Sequence, residues 1–181
     1  KAEESLKQAL SVQEKCFGKE DIRIANTLNK LGQIHRAQGK YTEVEPSLRR
    51  ALTLYEKGSA NHRSEYSNTL ENLADFYRAH SKFEQAEPLF RKAISEWEAE
   101  MGPEDPNLIS MLKNLALLYH ADGKYDLAEP LYERALKLSE SHWGENHPGV
   151  ATILNYRAEL MRMKGNFEQS AKLHWRALKI R

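Results

Sequence analysis

Displaced by 42 residues, the sequence matches itself without a gap. Leu28, Leu70, Leu112 and Leu154 share one column, and Gly32, Ala74, Ala116 and Ala158 share another. A third column holds Gly39, Ser81, Gly123 and Gly165, followed closely by Tyr41, Phe83, Tyr125 and Phe167. Further on lie Ala9, Ala51, Ala93, Ala135 and Ala177, with Leu10, Leu52, Ile94, Leu136 and Leu178 beside them. Small and large side chains alternate in the same order each time. A fixed period of this length is the signature of a helical solenoid, in which each unit stacks on the next. The small columns mark where neighbouring helices approach closely.

The unit is clearest at residues 110–138. Leu112, Leu115, Ala116 and Tyr119 recur at helical spacing. Asp122-Gly123-Lys124 interrupts them with a turn signal. Ala128, Leu131, Tyr132, Ala135 and Leu136 then form a second apolar stripe. A lone helix pair cannot bury both stripes, so it needs neighbours. Nine helices are expected, near 2–16, 22–38, 41–57, 64–80, 83–100, 106–121, 125–141, 148–164 and 167–180. The turn glycines suit a left-handed residue that ends a helix; Ser81 takes that place with a Cβ. Asp21 and Asp105 are expected N-caps, with Pro106 in the first turn where its missing N–H costs nothing. His147-Pro148 repeats that arrangement with a weaker cap.

The chain reads as a single array. A partial repeat covers 1–21, full repeats cover 22–63, 64–105 and 106–147, and a terminal repeat covers 148–181. Residues 1–16 match a second helix whose first helix is missing, as in a fragment cut from a longer array. The stretch from Gly58 to Ser64 lacks the Asp-Pro start, so a helix boundary is least marked there. His35 stands in the column of Tyr77 and Tyr119 and is expected to pack between helices. In the terminal repeat Arg157 replaces a leucine and Met161 replaces the aromatic. Trp175 occupies the column of Arg49, Arg91 and Glu133, which should face solvent. It suits contact with a following element or a partner, and equally a terminal cap.

Charge excludes some functions. The 27 basic and 26 acidic residues leave +1, which argues against bulk nucleic-acid binding. No apolar run reaches membrane-spanning length and no basic amphipathic helix is present, so no membrane partner is expected. Cys16 is the single cysteine, which rules out an internal disulfide; it is expected as a buried or half-buried spectator. These features fit a cytoplasmic protein. No nucleophile elbow, phosphate loop or His-Glu-x-x-His helix appears. His142 and His147 straddle a helix boundary without a completing thiol or carboxylate set. No catalysis, metal or cofactor is expected.

The order Leu-x-x-Leu-Ala/Gly-x-x-Tyr, then Gly-Lys-Tyr, Ala-Glu-Pro-Leu-Tyr and Arg-Ala-Leu, resembles the tetratricopeptide repeat (TPR). The usual TPR period is 34 residues and the period of 42 is longer. The extension, Gly102 to Leu108 and Gly144 to Val150, is similar to repeats of kinesin light chains and of the nephrocystin family. The resemblance implies an all-α, right-handed superhelical solenoid of antiparallel helix pairs. It also implies that the first helices line a concave groove whose usual ligands are peptides.

The groove columns would be Asn26, Asn68, Ser110 and Thr152; Asn29, Glu71, Lys113 and Asn155; Gln33, Asp75, Leu117 and Glu159; Arg36, Arg78, His120 and Arg162; and beside them Lys30, Asn72, Asn114 and Tyr156. From these the candidate peptide-binding residues are Asn29, Gln33, Arg36, Asn68, Asn72, Arg78, Lys113, Asn114, His120, Asn155, Tyr156 and Arg162. Asparagine amides can donate to and accept from a peptide backbone, and helix propensity alone would favour Lys, Glu or Gln there. The two-carboxylate clamp of chaperone-binding TPR domains needs basic members that Asn29, Gln33, Asn72, Ser110 and Asn114 do not supply. The expectation is a non-catalytic scaffold for an extended, partly acidic peptide, resembling a kinesin light chain that carries cargo. The rival is an assembly module acting through its ends or convex face, with self-association through the open ends. An enzyme would require domains outside this sequence.

Overall fold

A computed structural model describes residues 1–58 and 62–180. Residues Ser59 to Asn61, in the stretch where the helix boundary was least marked, lie outside the described residues. Among the described residues there are nine α-helices and no strand. They are α1 (Ala2–Phe17), α2 (Ala25–Ala37), α3 (Tyr41–Lys57), α4 (Arg63–Ala79), α5 (Phe83–Met101), α6 (Asn107–Ala121), α7 (Tyr125–Trp143), α8 (Pro148–Met163) and α9 (Phe167–Ile180). A 3-10 turn, Ile22–Ile24, leads into α2. The expected helices are all present, with ends displaced by a few residues at most.

The chain forms two compact units, Lys1–Glu100 and Met101–Arg181. In the first, α1 packs on α2, α2 on α3 and α3 on α4. The buried Ser67 hydroxyl donates to the Ala93 carbonyl and ties α4 to α5. In the second unit, α6 packs on α7, α7 on α8 and α8 on α9. Each unit therefore packs sequential neighbours, as the repeat period requires. The columns of small residues are buried from α2 onward, including Ala51, Ala74, Ala93, Ala116, Ala135 and Ala158, while Ala9 of α1 is exposed. Gly32 is tighter still: a Cβ there would lie 2.7 Å from Leu48 Cδ2.

Backbone chemistry recurs with the period. Gly39, Gly123 and Gly165 have φ of 72°, 73° and 78°, and Ser81 joins them at 56°. In each turn the next N–H reaches back across the helix end. Lys40 donates to the His35 carbonyl and Lys82 to that of Tyr77, both at 2.9 Å; Lys124 donates to Tyr119 and Asn166 to Met161, both at 2.8 Å. This is the long bond of a Schellman ending. Helix starts agree as well. Asp21 accepts from the Arg23 N–H at 2.9 Å, Asp105 from Asn107 at 2.9 Å, and His147 Nδ1 from Gly149 at 3.0 Å.

One expectation fails. Cys16 is exposed, because it lies on a face of α1 that no neighbouring helix covers; α1 has no fully buried residue. His35 is buried as expected, with 3% of its surface exposed. Neither of its ring nitrogens has a hydrogen-bond partner. An orphaned buried polar group typically costs about 1–3 kcal/mol. No helix among the described residues is long and apolar enough to cross a membrane.

Candidate functional site

The candidate residues lie on the first helix of each repeat. In the first unit these helices are α2 and α4. Asn68, Gln33, Asn26 and Lys30 are exposed. Asn29 is not: 7% of it is exposed, and its Oδ1 accepts from Asn72 Nδ2 at 3.0 Å. Asn29 therefore orients Asn72, which is half-buried and carries its carbonyl oxygen outside that bond. Arg36 and Arg78 converge on one carboxylate. Arg36 Nη1 is 3.5 Å from Asp75 Oδ2, while Arg78 Nε and Nη2 donate to Asp75 Oδ1 at 3.1 and 3.0 Å. Two guanidinium groups and one carboxylate leave a net positive patch smaller than the arginine column alone suggests.

In the second unit the helices are α6 and α8. Ser110 and Thr152 are exposed, and Lys113, Asn114, Asn155 and Tyr156 are half-buried. Asn155 Oδ1 lies 3.0 Å from His174 Nδ1 on α9. Tyr156 stacks on Tyr132 of α7, with centroids 6.2 Å apart and planes 6° from parallel. Arg162 Nε donates to Glu159 at 3.0 Å. His120 meets Tyr125 edge-on at 5.7 Å, and its buried Nδ1 has no partner. Burial pushes its pKa down, against a smaller upward pull from Glu159.

A cavity of about 310 Å³ opens between α6 and α8 in this unit. Buried Ile109 and Ile153 form its floor, Trp143 its wall, and Ser110, Lys113 and Thr152 its polar rim. Trp143 is 39% exposed. Its ring leans over Gly149, where a Cβ would come within 2.5 Å of Cζ3, and it packs on His147 at 4.9 Å between centroids. The sequence carried a signal for this tryptophan. Phe17, Met101 and Trp143 share one column of the period, and all three are exposed large apolar residues. Phe17 is covered by the Arg23 guanidinium, 3.7 Å from its centroid.

The tetratricopeptide repeat family matches residues 1–57, 65–141 and 121–181. The chain belongs to that family. Its fold is that of solved repeat structures. BtubC (BKLC) from P. vanneervenii is 20% identical with a TM-score of 0.84, over 99% of this chain and 72% of that one. A putative kinesin light chain of Podosopora anserina with nearly identical TPR-like repeats is 19% identical with a TM-score of 0.83, over 99% and 85%. Aspartyl phosphate phosphatase F from Bacillus subtilis is 20% identical with a TM-score of 0.79, over 97% and 44%. A search of curated proteins finds no match. TPR domains generally bind proteins or peptides and act as non-catalytic scaffolds.

Proposed function

We propose that this chain is a non-catalytic interaction scaffold that holds an extended, partly acidic peptide against the exposed faces of its first helices. The observation that carries this reading is the cavity between α6 and α8. It joins an apolar floor to a rim bearing Lys113 and two hydroxyls, Ser110 and Thr152. An aromatic or long apolar side chain would fill the floor, and a neighbouring carboxylate would meet Lys113. Most affinity comes from the apolar contact, since an exposed ion pair contributes only about 0.2–1 kcal/mol. Asn72, oriented by Asn29, and the arginines on Asp75 offer a second set of contacts in the first unit. We extend the proposal to a cargo-adaptor role of the kinesin light chain type, which the repeat variant supports. The setting proposed is cytoplasmic.

The test is a fluorescence titration with an acidic peptide containing one tryptophan or tyrosine. Lys113→Glu and Trp143→Ala should each weaken binding several-fold, and Arg36→Glu/Arg78→Glu should weaken it less. Equal binding by all three variants, each folded by circular dichroism, would contradict the reading.

One observation favours the assembly reading. On α9, Trp175 is 64% exposed, and it lines a pocket with Ala171, Lys172 and Arg176. If that surface mediates assembly, Trp175→Ala abolishes partner capture while Lys113→Glu leaves it intact.

A further inference from the structure

The first repeat replaces a structural hydrogen bond with a different donor set. In the second repeat, the Tyr77 hydroxyl donates to Glu45 Oε1 of the preceding helix at 2.6 Å. One period earlier those columns hold His35 and Glu3. His35 Nε2 lies 3.6 Å from Glu3 Oε1, without a hydrogen bond. A third ligand-type atom is present in this repeat. Glu43 Oε2 lies 3.3 Å from His35 Nε2, where the other repeats carry Gln85, Leu127 and Gln169. The three donor atoms all lie within 4.8 Å of one another.

These separations suit one ion. Zinc bonds to imidazole nitrogen and carboxylate oxygen are about 2.0–2.2 Å, so the edge of a tetrahedral site is roughly 3.3–3.6 Å. The two edges at Nε2 fall at that length. The buried imidazole makes no hydrogen bond, and its Nε2 lies between two carboxylate oxygens, where an ion could take a nitrogen ligand. Two carboxylates balance a divalent charge. A nitrogen donor favours zinc and other late first-row ions over magnesium or calcium, which take oxygen.

A cation already occupies part of this space. Lys7 Nζ sits 2.7 Å from Glu3 Oε1 and 3.8 Å from Glu43 Oε2. Lys40 Nζ holds the other Glu3 oxygen at 2.6 Å. The Lys7 side chain is half exposed, so its ammonium can leave for solvent while Lys40 stays. We propose that Glu3 of α1, His35 of α2 and Glu43 of α3 bind one divalent transition-metal ion, for which zinc is the probe, with Lys7 as the built-in competitor. The ion would bridge three helices and fasten α1 to the pair that follows it.

The experiment is zinc titration of the full chain against a competing fluorescent chelator, with magnesium as control and stoichiometry from equilibrium dialysis. Wild type should bind one zinc per chain, and hydrogen exchange in α1 should slow. His35→Tyr restores the residue found in the Tyr77 column; it should keep the fold and lower affinity at least tenfold. Lys7→Met should raise affinity several-fold. Glu43 is exposed, so Glu43→Gln should fold and lower affinity tenfold even if His35→Tyr does not fold. Absence of stoichiometric zinc, or wild-type affinity in Glu43→Gln, would overturn the proposal.

Discussion

Arg36 and Asp75 face each other at 3.5 Å between α2 and α4, and Asp75 holds Arg78 at the same time. An acidic ligand must therefore compete with a carboxylate the protein supplies itself. Asp75→Asn removes the competitor and keeps the side-chain volume. Affinity for an acidic peptide should rise roughly 1.5- to 5-fold, the equivalent of about 0.2–1 kcal/mol. The gain should shrink as salt is added, because exposed charges are screened. Titrations at low and high salt measure both effects. No gain at low salt would mean that the peptide does not touch these arginines.

Ser81 adopts φ of 56° where the other turns use glycine. A Cβ in that conformation costs about 1–2 kcal/mol, and glycine returns about half of that in chain entropy. Ser81→Gly should be neutral to about 1 kcal/mol stabilising. Gly123→Val should destabilise the second unit by roughly 1–2 kcal/mol. Nothing lies within 4 Å of a Cβ at Gly123, so the loss is the backbone's alone. Urea melts of both variants decide the matter. A marked loss in Ser81→Gly would mean that the serine side chain supports the turn.

The sequence disclosed what is local and periodic. The turns at Gly39, Ser81, Gly123 and Gly165 and the caps at Asp21 and Asp105 depend on a few neighbouring residues, so a repeat of 42 prints them plainly. Pairings that depend on side-chain torsions were less visible. The spacing of Asp75 to Arg78 and of Glu159 to Arg162 is the i,i+3 pattern of a helical ion pair, yet the column view showed only a ladder of arginines. The burial of Asn29 could not be read at all, because it follows from how closely α4 lies against α2. Cys16 failed because its column faces solvent in every repeat: Gly58, Glu100 and His142 are exposed as it is.

Gly149 leaves room for the Trp143 ring. Gly149→Ala should push the indole out of its place and reshape the cavity wall. In a Trp97→Phe/Trp175→Phe background, the remaining tryptophan should shift its emission to the red, and peptide affinity should fall several-fold. Unchanged emission and unchanged affinity would show that the ring and the cavity tolerate a Cβ.

His120 predicts a pH dependence. Burial lowers its folded pKa below the unfolded value of about 6.5. Below that pH the unfolded chain binds the proton more readily, so stability conferred by the neutral ring is present above it and lost as pH falls toward the folded pKa. The melting temperature should therefore drop between pH 7.5 and 5.5, and His120→Gln should reduce that drop. An identical drop in the variant would assign the effect to other groups.

Backbone amide shift mapping by NMR, with an acidic aromatic peptide added stepwise, tests the central claim most directly. The peptide should perturb the first helices: α6 and α8 around Ser110, Lys113 and Thr152, and α2 and α4 around Gln33, Asn72 and Arg78. Perturbation confined to α9 around Trp175, with the first helices unmoved, would contradict the account and make this chain an assembly module instead.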